Sequence, residues 1–125
     1  TGSNGTRCIG NIAIECDLDG NKITAVGFEN YMVDKHSNVK TPLGHVLHGH
    51  GNSFEGKQEG FYNGQVLATY MHGPLLPKNP EITDFVIYKA LKKRNPDITL
   101  QDLAPLDDTL EHQAKEYMLK RLSSK

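Results

Sequence analysis

The stretch 64–80 constrains this chain more than any other. Across residues 64–71, Val66, Ala68 and Tyr70 fall on one face of an extended backbone, and Leu67, Thr69 and Met71 fall on the other. Both faces are largely apolar, as a strand buried between two layers requires. Gly73 and Pro74 end the run, since proline brings no amide to a ladder. His72 is thereby expected at the carboxyl end of a central strand, and in open α/β sheets ligands and catalytic groups gather outside those ends. An imidazole at such a place suits a general base, and an ordinary turn histidine beside Gly-Pro is the plain alternative.

The remainder reads as support for that strand. Residues 1–6 are small and polar, a frayed end or a linker. In 7–15, Cys8, Gly10, Ile12 and Ile14 share one parity, giving a strand with an apolar even face. A Gly/Asn/Asp-rich turn at 17–22 returns the chain into 23–29, so the two runs predict a β-hairpin. Residues 30–42 lack periodicity, 43–49 alternate enough for another strand, 49–56 form a glycine-dense loop, and 61–64 form a tight turn.

Beyond the strand, Asn79-Pro80-Glu81 predicts a helix start, with Asn79 as cap, proline at the first helical position and Glu81 against the positive dipole end. Ile82, Phe85, Val86 and Ala90 follow helical spacing, Lys92, Lys93 and Arg94 occupy the last turn, and Pro96 lies just beyond. Residues 97–105 connect to a second helix opened by Asp107 or Asp108. Its expected apolar stripe is Leu110, Ala114, Tyr117, Met118 and Leu122. Glu111 with Lys115 and Glu116 with Lys120 stand at i,i+4 in the favoured order. The fold class is α/β: β-hairpins, then a central strand, then two helices.

At 125 residues the chain is one domain or part of one, short for a complete α/β enzyme. A formal net charge of -1 gives no basic field to draw nucleic acid or an anionic membrane. No apolar run reaches the roughly 18 residues a spanning helix needs, so no membrane insertion is expected, and the chain reads as cytoplasmic. Gly56-Lys57 runs into Gln58, which excludes a phosphate loop. His45, His48 and His50 lie close together, but alternation turns His45 away from the other two, and no second cluster has ligand spacing; no metal is expected. Cys8 and Cys16 are too few for a disulfide framework, although one bridge stays open, and reduced thiols are the default. Neither cysteine sits at a strand-to-helix elbow of the kind that activates a thiolate, so both read as packing or surface residues.

Thr69-Tyr-Met-His-Gly-Pro-Leu-Leu-Pro-Lys-Asn-Pro80 closely resembles the segment around the catalytic histidine of class I glutamine amidotransferases in the cobyric-acid-synthase-like branch. Within that branch it is most similar to the glutaminase subunits of lipid II isoglutaminyl synthases. Three further segments carry the likeness. Arg7-Cys-Ile-Gly-Asn-Ile-Ala-Ile-Glu15 looks like the branch's arginine-led strand ending in glutamate. Val26-Gly-Phe-Glu-Asn30 is similar to its Gly-Phe-Glu-Asn-His element, and Leu43-Gly-His-Val-Leu-His-Gly-His-Gly-Asn52 to its Leu-Gly-x-Val-x-x-Gly-x-Gly-Asn. The match runs from about Arg7 through Asn79, with weaker helical similarity after it.

What the resemblance implies is specific. Residues 1–125 would be the carboxyl-terminal half of one glutamine amidotransferase-like domain. His72 would be the general base for a cysteine carried by the preceding half, and Arg7 a candidate to hold the carboxylate of glutamine, a surface arginine being its bland alternative. The glutaminase needs no cofactor. Its ammonia would pass to a ligase subunit of the Mur-ligase type, using ATP and Mg, that amidates the D-glutamate of lipid II. Cobyric or cobyrinic acid amidation is an alternative, as is a non-catalytic interaction module that kept the scaffold. The chain departs from the branch at Tyr31, where histidine is usual, and at Met32-Val-Asp-Lys-His-Ser37, which replaces a Gly-Arg-Thr stretch. Pro74 stands where most class I triads place glutamate, as is general in this branch, so the orienting group of His72 must come from elsewhere, a partner chain included.

Overall fold

The computed structural model describes residues 7–32, 39–55 and 57–124. The expectations for 1–6 and for most of the 32–37 departure lie outside them. Two twelve-residue strands, β1 (Arg7–Leu18) and β2 (Asn21–Met32), form an antiparallel hairpin paired without interruption from Leu18↔Asn21 to Arg7↔Met32. Its two-residue turn places Asp19 at φ 54° and Gly20 at φ 90°, the left-handed pair that matches the twist of a hairpin. The Asp17 carboxylate accepts the Gly20 N–H at 2.7 Å. Strand β3 (Gly44–His48) pairs antiparallel with β1 across an irregularity at Ala13/Ile14, and β4 (Gln58–Glu59) completes a sheet of order β2-β1-β3-β4. The hairpin and the strand in 43–49 are as the alternation predicted.

One face of the hairpin builds the core. Ile12, Ile14, Cys16 and Leu18 of β1, Ala25 of β2, Leu43, Met71, and Ile82 and Phe85 of the following helix pack into a single cluster. The even parity of β1 is thus the buried face, as expected.

The run at 64–71 is not the central strand expected of it, either in extent or in place. Only β6 (Leu67–Ala68) is strand, paired with β5 (Phe61–Tyr62) in a separate two-stranded ladder. The odd side faces inward, with Met71 6% exposed, while Val66 and Tyr70 on the even side are 51% and 57% exposed. The physical reason is visible in the amides. Tyr70 N–H donates to the Glu59 carboxylate at 2.8 Å and Met71 N–H to the Thr69 hydroxyl at 3.0 Å, so side chains take the donors that a neighbouring strand would need. At its end the chain rejoins the main sheet through a single bridge, His72 against Phe28. Gly27 makes room for this approach, since a Cβ there would lie 2.9 Å from that of Met71.

A short turn of helix, α1 (Leu75–Lys78), leads into α2 (Pro80–Lys92), with Pro80 at its first position and Glu81 in its first turn. Asn79 sits at the cap position but its side chain makes no cap bond. It is fully buried, and its amide oxygen accepts the Val26 N–H while its amide nitrogen donates to the Val26 and Leu75 carbonyls, all at 2.8 Å. One carboxamide therefore imitates a strand partner and docks the helix start onto β2. Farther along, Lys89 reaches Asp19 at 2.9 Å and Tyr62 meets the ring of Phe85 edge-on, clasping α2 to the hairpin turn.

Helix α3 (Thr109–Ser123) packs on the opposite face of the hairpin, where Leu122, with Met118 and Leu119, meets Ala13 and Val26. Its buried side corrects the expected stripe. Leu110 and Tyr117 are 75% and 69% exposed and Ala114 faces out, whereas Lys115 is buried. Lys115 does not pair with Glu111; it crosses to Glu81 of α2 at 2.9 Å. No Glu116–Lys120 ion pair is present among the described residues. The interhelical ion pair and the small patch at Ala13 and Val26 set the rotation of α3, overriding its own apolar pattern.

Replacing Asn79 with Ala strands a buried N–H and a buried carbonyl of Val26, each costing about 1–3 kcal/mol. Asn79→Ala is expected to lower unfolding stability by about 2–4 kcal/mol, read as the shift of a urea midpoint at constant slope. A change below about 0.5 kcal/mol would mean that water or another group replaces the amide.

Candidate functional site

The His72 backbone is clamped on β2 by two hydrogen bonds, His72 N–H to the Phe28 carbonyl at 2.8 Å and Phe28 N–H to the His72 carbonyl at 3.0 Å. Directly opposed residues of an antiparallel pair point to the same side. His72 therefore shares a sheet face with Phe28 and Asn30, while Met71 turns to the core face. The residue is exposed, and its ring makes no hydrogen bond to a described residue. Gly73 and Pro74 then turn the chain into α1.

Arg7 stands on the same face. It opposes Met32 in the ladder, and its guanidinium holds the Asn30 amide oxygen through Nε at 3.2 Å and Nη2 at 2.8 Å. Asn30 is two residues along β2 from Phe28, the bridge partner of His72. The register of one strand thus sets His72 and Arg7 on one side of the sheet, with Phe28 and Asn30 between them. Tyr31, at the position where histidine is usual, points the other way. Its hydroxyl donates to the Gly51 carbonyl at 2.5 Å and its ring stacks on Tyr70 at 5.1 Å.

On the opposite, inward face the chain assembles a second group that local spacing does not reveal. Glu29 is 1% exposed and divides its oxygens between two tasks. Oε1 accepts the backbone N–H of His50 at 2.9 Å and that of Gly51 at 2.7 Å, and lies 3.1 Å from the Tyr31 hydroxyl, whose single proton goes to the nearer Gly51 carbonyl. Oε2 faces Cys8 Sγ at 3.3 Å and His50 Nδ1 at 3.2 Å, and those two atoms are 3.1 Å apart. Burial pushes Glu29 upward, but the N–H groups of Gly51 and His50, with the Cys8 and His50 side chains, outweigh it and hold the carboxyl below its ordinary value. His50 reaches the group by turning past Gly49, whereas the register shift at Ala13/Ile14 puts His45, opposite Glu15, and His48, opposite Ala13, together on the other face, so the expected sharing of a face by His48 and His50 is corrected. The signal for this trio is pairing, not spacing: Cys8↔Tyr31 and Gly10↔Glu29 bring Cys8 and Glu29 to one face only once the register is known.

Both cysteines are free, buried and on β1. Burial pushes each thiol up to about 12, with the Glu29 carboxylate adding to it for Cys8 and Glu59 for Cys16. Neither is a ready thiolate, and neither precedes a helix, in line with the expectation from their setting. A groove of about 770 Å³ between the β5–β6 ladder and α2 is lined by Tyr62, Leu67, Phe85, Val86 and Lys93 among others; His72 and Arg7 are not part of it.

Comparisons with known proteins agree on one family. The family model for the CobB/CobQ-like glutamine amidotransferase domain matches residues 1–80. The chain is 40% identical over 121 residues to the subunit GatD of the glutamine-hydrolysing lipid II isoglutaminyl synthase of Staphylococcus aureus, an alignment covering 97% of this chain and 47% of that protein. It is 38% identical over 90 residues to the GatD subunit of Streptococcus pneumoniae, covering 70% of this chain and 34% of the relative. The chain therefore spans about half or less of the length of the curated relatives it matches. No helix among the described residues is long and apolar enough to cross a membrane.

Glu59 offers a test of how the approach to His72 is held. It is fully buried; Oε1 accepts the Thr69 hydroxyl and the Tyr70 N–H, and Oε2 has no hydrogen-bond partner among the described residues. Burial raises its pKa, only partly offset by the Tyr70 and Thr69 donors. A raised carboxyl contributes stability that is full below the unfolded value of about 4.3 and is lost as pH rises through the folded value. Glu59→Gln keeps an acceptor for Thr69 and Tyr70 without the charge. The variant should be more stable than the parent at neutral pH, with the gap closing in acid, as read from urea midpoints at the two pH values. A variant destabilised at neutral pH would show that the ionised form is the one the fold uses.

Proposed function

Because the chain belongs to the CobB/CobQ-like glutamine amidotransferase family, we propose that it is the carboxyl-terminal part of a glutaminase in which His72 is the general base and Arg7 holds the substrate carboxylate. In this reading a cysteine from another segment of the full protein attacks the side-chain amide of glutamine. His72 takes the thiol proton and delivers it to the departing ammonia; water then attacks the thioester, with the same imidazole accepting its proton and restoring the thiol. Glutamate and ammonia leave.

The single observation that carries the reading is the placement of His72. Its backbone is fixed by two hydrogen bonds at the edge of β2 while its ring stays exposed, so a thiolate brought by another segment has access. Arg7 on the same face supports a carboxylate site, since a guanidinium fork matches a carboxylate through two N–H groups. In the free chain those donors rest on Asn30, a neutral acceptor that an anionic substrate can displace.

The likeness to GatD proteins extends the proposal. The ammonia is used by a partner ligase subunit of the Mur-ligase type, with ATP and Mg on that partner, to amidate the D-glutamate of lipid II, and the complex works in the cytoplasm. A group from the partner orients His72, since Pro74 leaves no local carboxylate two residues on. The second reading, a non-catalytic interaction module, is favoured only by the two buried thiols.

The test uses the full-length protein with its partner. His72→Ala is expected to lower glutaminase kcat by about 10²–10⁴-fold, and Arg7→Lys to raise KM for glutamine by about tenfold or more with a smaller effect on kcat. A His72→Ala protein that keeps its kcat removes the base assignment; a full-length parent without glutaminase activity favours the interaction module.

A further inference from the structure

The trio on the inward face has the composition and spacing of a metal-binding site. Cys8 Sγ, Glu29 Oε2 and His50 Nδ1 form a near-equilateral triangle with sides of 3.1, 3.2 and 3.3 Å. Tetrahedral zinc bonds of about 2.0–2.3 Å to sulfur, nitrogen and oxygen set neighbouring donors roughly 3.3–3.6 Å apart. The three atoms need to part by only a few tenths of an ångström to receive such an ion.

Hydrogen bonding alone serves this triangle poorly. A thiol and a neutral imidazole can bring at most two protons to three mutual contacts, and the carboxylate brings none. One of the three contacts therefore has no proton of its own. A cation at the centre turns all three contacts into bonds.

The surroundings are those of a built site. Cys8 and Glu29 are buried, at 2% and 1% exposure, so the donors are not a chance surface cluster. The outer oxygen of Glu29 is fixed by the backbone N–H groups of His50 and Gly51, and Tyr31 holds that loop through the Gly51 carbonyl, which leaves Oε2 as a single oriented ligand. The His50 side chain is 46% exposed and its ring is braced edge-on by Phe54, so the site has an entry path from solvent on that side.

We propose that Cys8, Glu29 and His50 bind one zinc ion with water completing a tetrahedron. The ion ties the loop at 49–51 to both strands of the hairpin. Binding expels the Cys8 proton to solvent as the sulfur–zinc bond forms, and His50 coordinates through Nδ1 with its remaining proton on Nε2. No electron transfer is involved. The site lies on the sheet face opposite His72, so it stands or falls independently of the amidotransferase reading.

The experiment uses the untagged full-length protein, stripped with a chelator and titrated with Zn2+ or Co2+. One equivalent of Co2+ should produce a near-ultraviolet thiolate-to-cobalt charge-transfer band that excess Zn2+ abolishes. Cys8→Ser should lose that band; His50→Ala, altering an exposed ring, should fold normally and lose it too. Tyr31→Phe should weaken zinc binding about tenfold by releasing the Gly51 carbonyl and so loosening the loop that carries His50, while His45→Ala and His48→Ala should bind as the parent does. Absence of the band in the parent, or a band that persists in Cys8→Ser or in His50→Ala, overturns the proposal.

Discussion

The structure depends on the register of one hairpin. Twelve consecutive pairs join β1 to β2, and because side chains alternate, that register decides what every residue of both strands faces. With Asp19 and Gly20 as the turn, Ile12, Ile14 and Ala25 enter the core while Arg7, Phe28 and Asn30 share the other side. A slip of one residue would exchange the two sets. The same alternation separates His72, bridged to Phe28, from Cys8, Glu29 and Tyr31, so the candidate catalytic face and the candidate metal face are two sides of one ladder.

A second device recurs where the backbone is irregular. Buried carboxylates and carboxamides take the place of missing strand partners: Asn79 pairs with both backbone groups of Val26, Glu59 receives Tyr70 N–H, and Glu29 receives His50 and Gly51 N–H. Asn52 does the same for Gly60, accepting its N–H at 2.8 Å and donating to its carbonyl at 3.0 Å. Each replaces a ladder bond with a side chain that needs its own satisfaction, and each removes freedom from a loop next to His72 or His50. Loops that would otherwise drift are in this way held to the hairpin.

Much of the fold is legible in local pattern. The hairpin follows from alternation around a Gly/Asp turn, and α2 follows from Pro80, Glu81 and the spacing of Ile82 and Phe85. The run at 64–71 and helix α3 show the limit. In the first, apolar residues on both faces suggested a long interior strand, yet Glu59 and Thr69 capture its amides and only Leu67–Ala68 remains in a ladder. In the second, Lys115 satisfies Glu81 across the helix pair, so Leu110 and Tyr117 turn outward despite their stripe.

The chain's own order of residues determined which segments extend and which coil, the even face of β1 as core, and, through the wording around His72, the family to which it belongs. Those properties are short-range: steric preference, alternation and turn chemistry act over a few residues. Tertiary structure alone decided that Cys8, Glu29 and His50 meet, that Asn79 serves a strand instead of a helix cap, and that Arg7 rests on Asn30. These contacts join positions 21 to 53 residues apart, and at such separations only the register of the ladder and the docking of helix on sheet select which side chains come within bonding distance.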